Sequence, residues 1–143
     1  MVEELKERIK KHEGFRDVIY KDSLGFATIG YGHLVLPTDD FVEGQQYSKE
    51  ILDAVFDKDF QNALDNANKL IGDIPLVYQA KEVICEMVFQ LGIGGVSKFK
   101  NMWKALEDGD YETASVEMLD SRWAKQTPSR AESLSNIMKQ CRS

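Results

Sequence analysis

One segment limits the architecture more than any other. Between Phe15 and Leu34 the sequence is rich in aromatic residues, β-branched residues and glycine, a texture that does not return. The runs Val18-Ile19-Tyr20 and Ala27-Thr28-Ile29 flank Asp22-Ser23-Leu24-Gly25 and predict a β-hairpin. β-Branched and aromatic side chains suit a half-buried pleated strand, while Asp and Gly suit the turn. Gly30-Tyr31-Gly32 forces a further bend, and Pro37-Thr38-Asp39-Asp40 marks a loop. The chain therefore has one small β element, and the rest of its core falls to helices.

The helical pattern is explicit on both sides. Val2, Leu5 and Ile9 share one face of a short helix over 2–12, stopped by Gly14. From Ser48, a plausible N-cap, a stripe runs through Ile51, Leu52, Val55, Phe56, Ala63, Leu64, Ala67 and Ile71. At 1.5 Å per residue this helix reaches about 36 Å and is the expected bridge between a β-containing lobe and a helical lobe. A second long helix is expected from Leu76 to Leu91, ended by Gly92, Gly94 and Gly95. Three more follow: one carrying Phe99, Met102, Trp103 and Leu106, one over 111–120, and one opening at Thr127-Pro128. The expected organisation is one mostly helical α+β domain over 1–143. Its β-containing lobe spans about 13–59, and its helical lobe spans about 60–143 together with helix 2–12. A cleft between two such lobes is a common place for a ligand.

Composition excludes several classes. With 143 residues, 43% hydrophobic and 29% charged, the chain is an ordinary globular one. No apolar run is long enough to span a bilayer, so no membrane insertion is expected. The net charge of -6 argues against nucleic acid as a partner, since phosphate binding needs a clustered basic face. The charge is uneven, however: residues 97–143 carry 8 basic and 7 acidic side chains. Cys85 and Cys141 form no disulfide framework or zinc motif and are expected as core residues. His12 and His33 have no third ligand at useful spacing, so neither a metal nor another cofactor is expected.

The chemistry concentrates in the β segment. Glu13 falls at a helix end, Asp22 in the hairpin turn and Thr28 on the returning strand. Two carboxyl groups and a hydroxyl are the groups that glycosidic bond hydrolysis uses. Spacing alone leaves a second reading open, in which Glu13 is a solvated helix end, Asp22 a turn former and Thr28 a strand residue. Trp103 and Trp123 likewise suit sugar stacking or core packing.

The pattern E-x8-D-x5-T-I-G-x-G-H, running from Glu13 to His33, resembles the active-site segment of phage-type lysozymes (endolysins), glycoside hydrolase family twenty-four. Two further blocks, Met87 to Gly92 and Ser121 to Ala131, are similar to later helices of the same family. The resemblance covers nearly the whole chain in order. It implies a lysozyme-like two-lobed fold, with Glu13 as general acid, Asp22 as the carboxylate on the attacking water and Thr28 as the hydroxyl on that water. It further implies that Leu34 and Phe89 line the saccharide cleft and that Arg130 lies near the catalytic glutamate. Met102 and Glu117 stand at two further substrate positions, where T-even phage members have a small hydroxyl residue and an amide. His12 likewise replaces an acidic residue. His33 and Asp59 match an ion-paired couple.

The activity so implied is muramidase cleavage of the β-1,4 bond between N-acetylmuramic acid and N-acetylglucosamine in bacterial peptidoglycan. Inversion is implied as well, with the carboxyl groups about 6.5–9.5 Å apart. The competing readings are a lytic transglycosylase and a catalytically silent cell-wall-binding or regulatory lysozyme-like protein. The first residues include no apolar signal-like run. The chain is therefore expected to stay in the host bacterial cytoplasm; the resemblance implies release to the wall through a holin, and a monomer is expected.

Overall fold

The computed structural model describes residues 2–22 and 24–142; Ser23, named in the expected turn, lies outside the described residues. Among the described residues seven helices and a three-stranded sheet follow one another in the order α1 (Val2–Glu13), β1 (Arg16–Lys21), β2 (Ala27–Gly30), β3 (His33–Leu34), α2 (Lys49–Ile71), α3 (Tyr78–Ser97), α4 (Lys100–Glu107), α5 (Tyr111–Leu119), α6 (Arg122–Gln126) and α7 (Pro128–Lys139). The fold is mostly helical α+β, as the sequence predicts. No described helix is long and apolar enough to cross a membrane. Two compact units are present, Met1–Asn62 and Ala63–Ser143, and α1 belongs to the first.

In the first unit α1 buries Leu5 and Ile9 and ends where the Gly14 N–H donates to Lys10 O at 2.9 Å. The sheet is antiparallel with order β1-β2-β3. Tyr20 pairs with Thr28, and Thr28 in turn with Leu34. The two-residue β3 was not foreseen; the glycines around Tyr31 turn the chain back onto β2 soon enough to add it. Tyr31 is buried, with its ring 4.9 Å from Phe15 and 5.5 Å from Phe56, and the Lys10 ammonium lies 5.0 Å from its centroid. Ser48 accepts from the Ile51 N–H at 3.3 Å and caps α2. Ile51, expected on the buried stripe, is instead half exposed, because the buried face of α2 runs through Leu52, Phe56, Phe60, Ala63 and Ala67 and Ile51 is turned about 100° from it.

In the second unit α5 packs on α7 and α4, and α3 on α7. The buried side chains include Ile84, Met87, Met102, Leu106, Met118, Leu134 and Met138. Cys85 and Cys141 are buried thiols, as expected. Three boundaries differ from the sequence reading. Helix α3 starts at Tyr78 rather than Leu76, because Val77 is extended. It does not end at Gly92: that residue breaks the helix with φ 79 and ψ 164, a conformation open to glycine, and the helix resumes to Ser97. The five-residue α6 is too short to show a period; Ser121 caps it by accepting from the Ala124 N–H at 3.1 Å. Pro128 opens α7 as predicted, but the Thr127 hydroxyl donates back to Trp123 O at 3.1 Å and caps nothing in α7.

Candidate active site

Glu13 is the last residue of α1 and lies against the turn between β2 and β3. A Cβ placed on Gly32 would stand 2.9 Å from Glu13 Cδ and 3.4 Å from its Cγ, so the carboxyl end of Glu13 rests on the bare main chain of Gly32. Gly32 has φ +75, which L side chains rarely adopt.

Asp22 and Thr28 meet through a third residue. The Leu24 and Phe26 N–H groups both donate to Asp22 Oδ1 at 2.9 Å, and the Asp22 N–H donates to Phe26 O at 2.9 Å. Asp22 is thus a side-chain-closed turn with a fixed carboxylate plane, and both described bonds fall on the same oxygen. Thr28 is buried, and its hydroxyl donates to the same Phe26 carbonyl at 2.9 Å. Its proton is committed to the main chain, which leaves the oxygen lone pairs as acceptors.

Tyr20 links these groups. It is the cross-strand partner of Thr28, and the Arg16 guanidinium lies 4.9 Å from its ring centroid. Burial raises its phenol above the ordinary tyrosine value, and the fields of Glu13 and Asp22 raise it further, while Arg16 opposes them. Tyr20 thus stands opposite Thr28 on the sheet and feels the charges of both Glu13 and Asp22. Sequence reading placed Tyr20 only in the strand run Val18-Ile19-Tyr20 and did not single it out.

His33 binds two carboxylates, Asp59 through Nδ1 at 2.6 Å and Asp39 through Nε2 at 2.9 Å. The contact with Asp59 is the expected one; Asp39 is an addition. Hydrogen bonding to Asp59 raises the imidazole above its ordinary value, burial opposes this, and Asp39 adds to the rise. Burial pushes Asp39 up, but the Leu36 N–H and His33 outweigh it and hold the carboxyl below its usual range. Leu34, beside His33, is half exposed.

The remaining expected site residues belong to the second unit. Met102, itself buried, and Glu117 line one cavity of about 540 Å³ together with Lys98, Phe99, Arg122 and Trp123. Phe89 is partly buried on α3. Arg130 is buried and its Nε donates to Glu86 Oε2 at 2.9 Å, with Glu86 fully buried. Glu86 gave no signal in the sequence, because an acid inside an apolar helical stripe reads as a stray surface residue. Trp123 is a packing residue whose indole N–H donates to Gln90 Oε1 at 2.7 Å. Among the described residues no cluster of three or more His, Cys, Asp or Glu is arranged to hold a metal ion.

The first unit thus presents a carboxyl at a helix end, a second carboxylate fixed by main-chain donors, and a hydroxyl acceptor. A family profile described as phage lysozyme matches residues 10–140. The chain is 31% identical over 158 residues to the probable T4-type lysozyme 2 of Dictyostelium discoideum, covering 92% of this chain and 91% of that protein. It is 30% identical over 154 residues to the pre-baseplate central spike protein Gp5 of Enterobacteria phage T4, covering 92% of this chain and 27% of the spike protein. It is 29% identical over 128 residues to the peptidoglycan hydrolase gp36 of Pseudomonas phage phiKMV, covering 89% of this chain and 14% of that protein.

Proposed function

The chain belongs to the phage lysozyme family, and from that premise we propose that this glycoside hydrolase cleaves peptidoglycan at the β-1,4 bond between N-acetylmuramic acid and N-acetylglucosamine, with inversion. The observation that carries the reading is the contrast between the two carboxyl groups. Glu13 lies at the C-terminal end of α1 against Gly32, while Asp22 receives two main-chain N–H groups on one oxygen. The two main-chain donors hold the Asp22 carboxylate in one orientation, which suits it to the role of base.

In this scheme Glu13 gives its proton to the glycosidic oxygen as the bond from that oxygen to the anomeric carbon breaks. Water attacks the anomeric carbon from the opposite face and passes a proton to Asp22. Thr28 helps to hold that water. The sugar product leaves as the α-anomer. Saccharide-contact roles for Leu34, Phe89, Met102 and Glu117, and a supporting role for Arg130, belong to the same proposal, as does use of the reaction in lysis of a bacterial host after holin-dependent release.

Borohydride reduction of digested walls tests the bond. A muramidase exposes reducing muramic acid and yields muramicitol. Glucosaminitol instead would mean that the neighbouring bond is cut, a non-reducing anhydro sugar would mean a lytic transglycosylase, and binding without any new ends would mean a silent wall binder. Proton NMR of a soluble wall fragment during turnover reads the stereochemistry; β-anomer appearing first would overturn inversion.

A further inference from the structure

We propose that Gly32 is the positioning residue for the Glu13 carboxyl: the bare main chain at residue 32 is the surface on which the carboxyl rests, and an L side chain there evicts it. The proposal rests on the reading of Glu13 as the acid.

The argument begins with the missing atom. A Cβ on Gly32 would lie 2.9 Å from Glu13 Cδ and 3.4 Å from Cγ, closer than carbon atoms pack. One of the two must move. The turn is the less able to do so. On one side of Gly32 the buried Tyr31 ring packs against Phe15 and Phe56. On the other side His33 is held at both ring nitrogens by Asp59 and Asp39, and its main chain pairs with Ile29. Glu13, by contrast, ends a helix on a side chain with three rotatable bonds. The carboxyl is the part that yields, and a general acid displaced by about 1 Å loses on the order of 10²-fold in rate.

A nearby glycine at the end of β2 supplies the control. Gly30 also has positive φ, +65, but the atoms nearest a Cβ there belong to Leu52, none closer than 3.5 Å, which is ordinary contact. Gly30→Ala therefore imposes a similar backbone strain without touching Glu13.

The test compares Gly32→Ala and Gly30→Ala by steady-state kinetics on a soluble wall fragment and by the carbon-13 carboxyl shift of Glu13. Gly32→Ala is expected to lower kcat at least ten-fold with KM within two-fold of the parent, and to move the Glu13 carboxyl signal. Gly30→Ala is expected to keep kcat within two-fold. An unchanged kcat in folded Gly32→Ala, or an equal fall in both variants, overturns the proposal. If Gly32→Ala does not fold, the Glu13→Ala background decides: removal of the crowded side chain is expected to restore folding, and failure to fold there as well overturns the positioning role. Near-parental activity in Glu13→Gln would remove Glu13 as the acid, and the carboxyl signal then still reports whether Gly32 holds it; an unmoved signal overturns the proposal on its own.

Discussion

His33 Nδ1 lies 2.6 Å from Asp59 Oδ2, which fastens the end of the sheet to helix α2. With Nε2 on Asp39 at 2.9 Å, both ring nitrogens are donors only in the protonated imidazolium. The stability that follows has a defined sign. The folded imidazole titrates above the ordinary value of about 6.5, so its contribution is complete below that pH and is lost as pH rises through the folded value. Asp39 titrates below the ordinary aspartate value of about 3.9, so its contribution is lost as pH falls through its own folded value. The clamp is at full strength between about pH 4 and 6.5.

Asp59→Asn should therefore cost about 1–3 kcal/mol in urea unfolding at pH 5.5, and less above pH 8. It should also lower the His33 titration midpoint seen by NMR. A midpoint equal to that of the parent would rule out the pair as the cause of the shift.

Glu13→Gln preserves size and removes the proton. Wall clearing should fall at least about 10²-fold, the usual worth of a positioned acid. Thermal unfolding should be unchanged or move upward, since acids kept for function are often not optimal for stability. A marked fall in melting temperature with activity retained would reverse the assignment.

Tyr20 reports on both carboxyl groups. Its phenol is raised by burial first and then by Glu13 and Asp22, so in ultraviolet titration one tyrosine should ionise above the ordinary tyrosine value. Glu13→Gln should bring that ionisation to lower pH without restoring the ordinary value, because burial remains. An identical titration in both proteins would show that Glu13 does not act on the phenol.

Glu86→Ala removes the carboxylate that binds buried Arg130. Removing one partner of a buried ion pair costs roughly 3 kcal/mol or more. Chemical denaturation should show this loss, and Glu86→Gln, which keeps an acceptor, should lose less. Equal stabilities for parent and Glu86→Ala would mean that other groups carry Arg130.

A net charge of -6 leaves little general attraction to an anionic wall. Lytic rate should fall weakly, or rise, between low and moderate salt, since screening removes repulsion as well as attraction. A steep and continuous decline would instead point to a basic patch at Lys98, Lys100, Lys104, Arg122 and Lys125.

The parts of the site readable in the sequence are those made within one short stretch. Glu13, Asp22 and Thr28 fall in a single helix-end and hairpin, so their order along the chain already implies their neighbourhood. The parts that stayed hidden depend on distant segments or on groups without side chains. The rest for Glu13 is an absent Cβ at Gly32. The acceptor that turns Thr28 is the Phe26 carbonyl, which every residue type possesses. Asp39 reaches His33 from a loop with no periodicity, and Glu86 meets Arg130 44 positions away. The same rule governs the fold: long α2 is written in its stripe, whereas α6 and β3, five and two residues long, are too short to carry a period.

The Phe26 carbonyl also bears on which nucleophile the site accepts. By taking the Thr28 proton it leaves that hydroxyl able only to receive one, and the second oxygen of Asp22 can likewise only receive. In the proposed roles both oxygens face the nucleophile as acceptors, which calls for an attacking molecule with two hydrogens. Water has two and satisfies both while keeping a lone pair for the anomeric carbon. A sugar alcohol has one and leaves an acceptor unmet. In the proposed mechanism the hairpin thus disfavours alcohols as glycosyl acceptors through a count of protons rather than through steric exclusion.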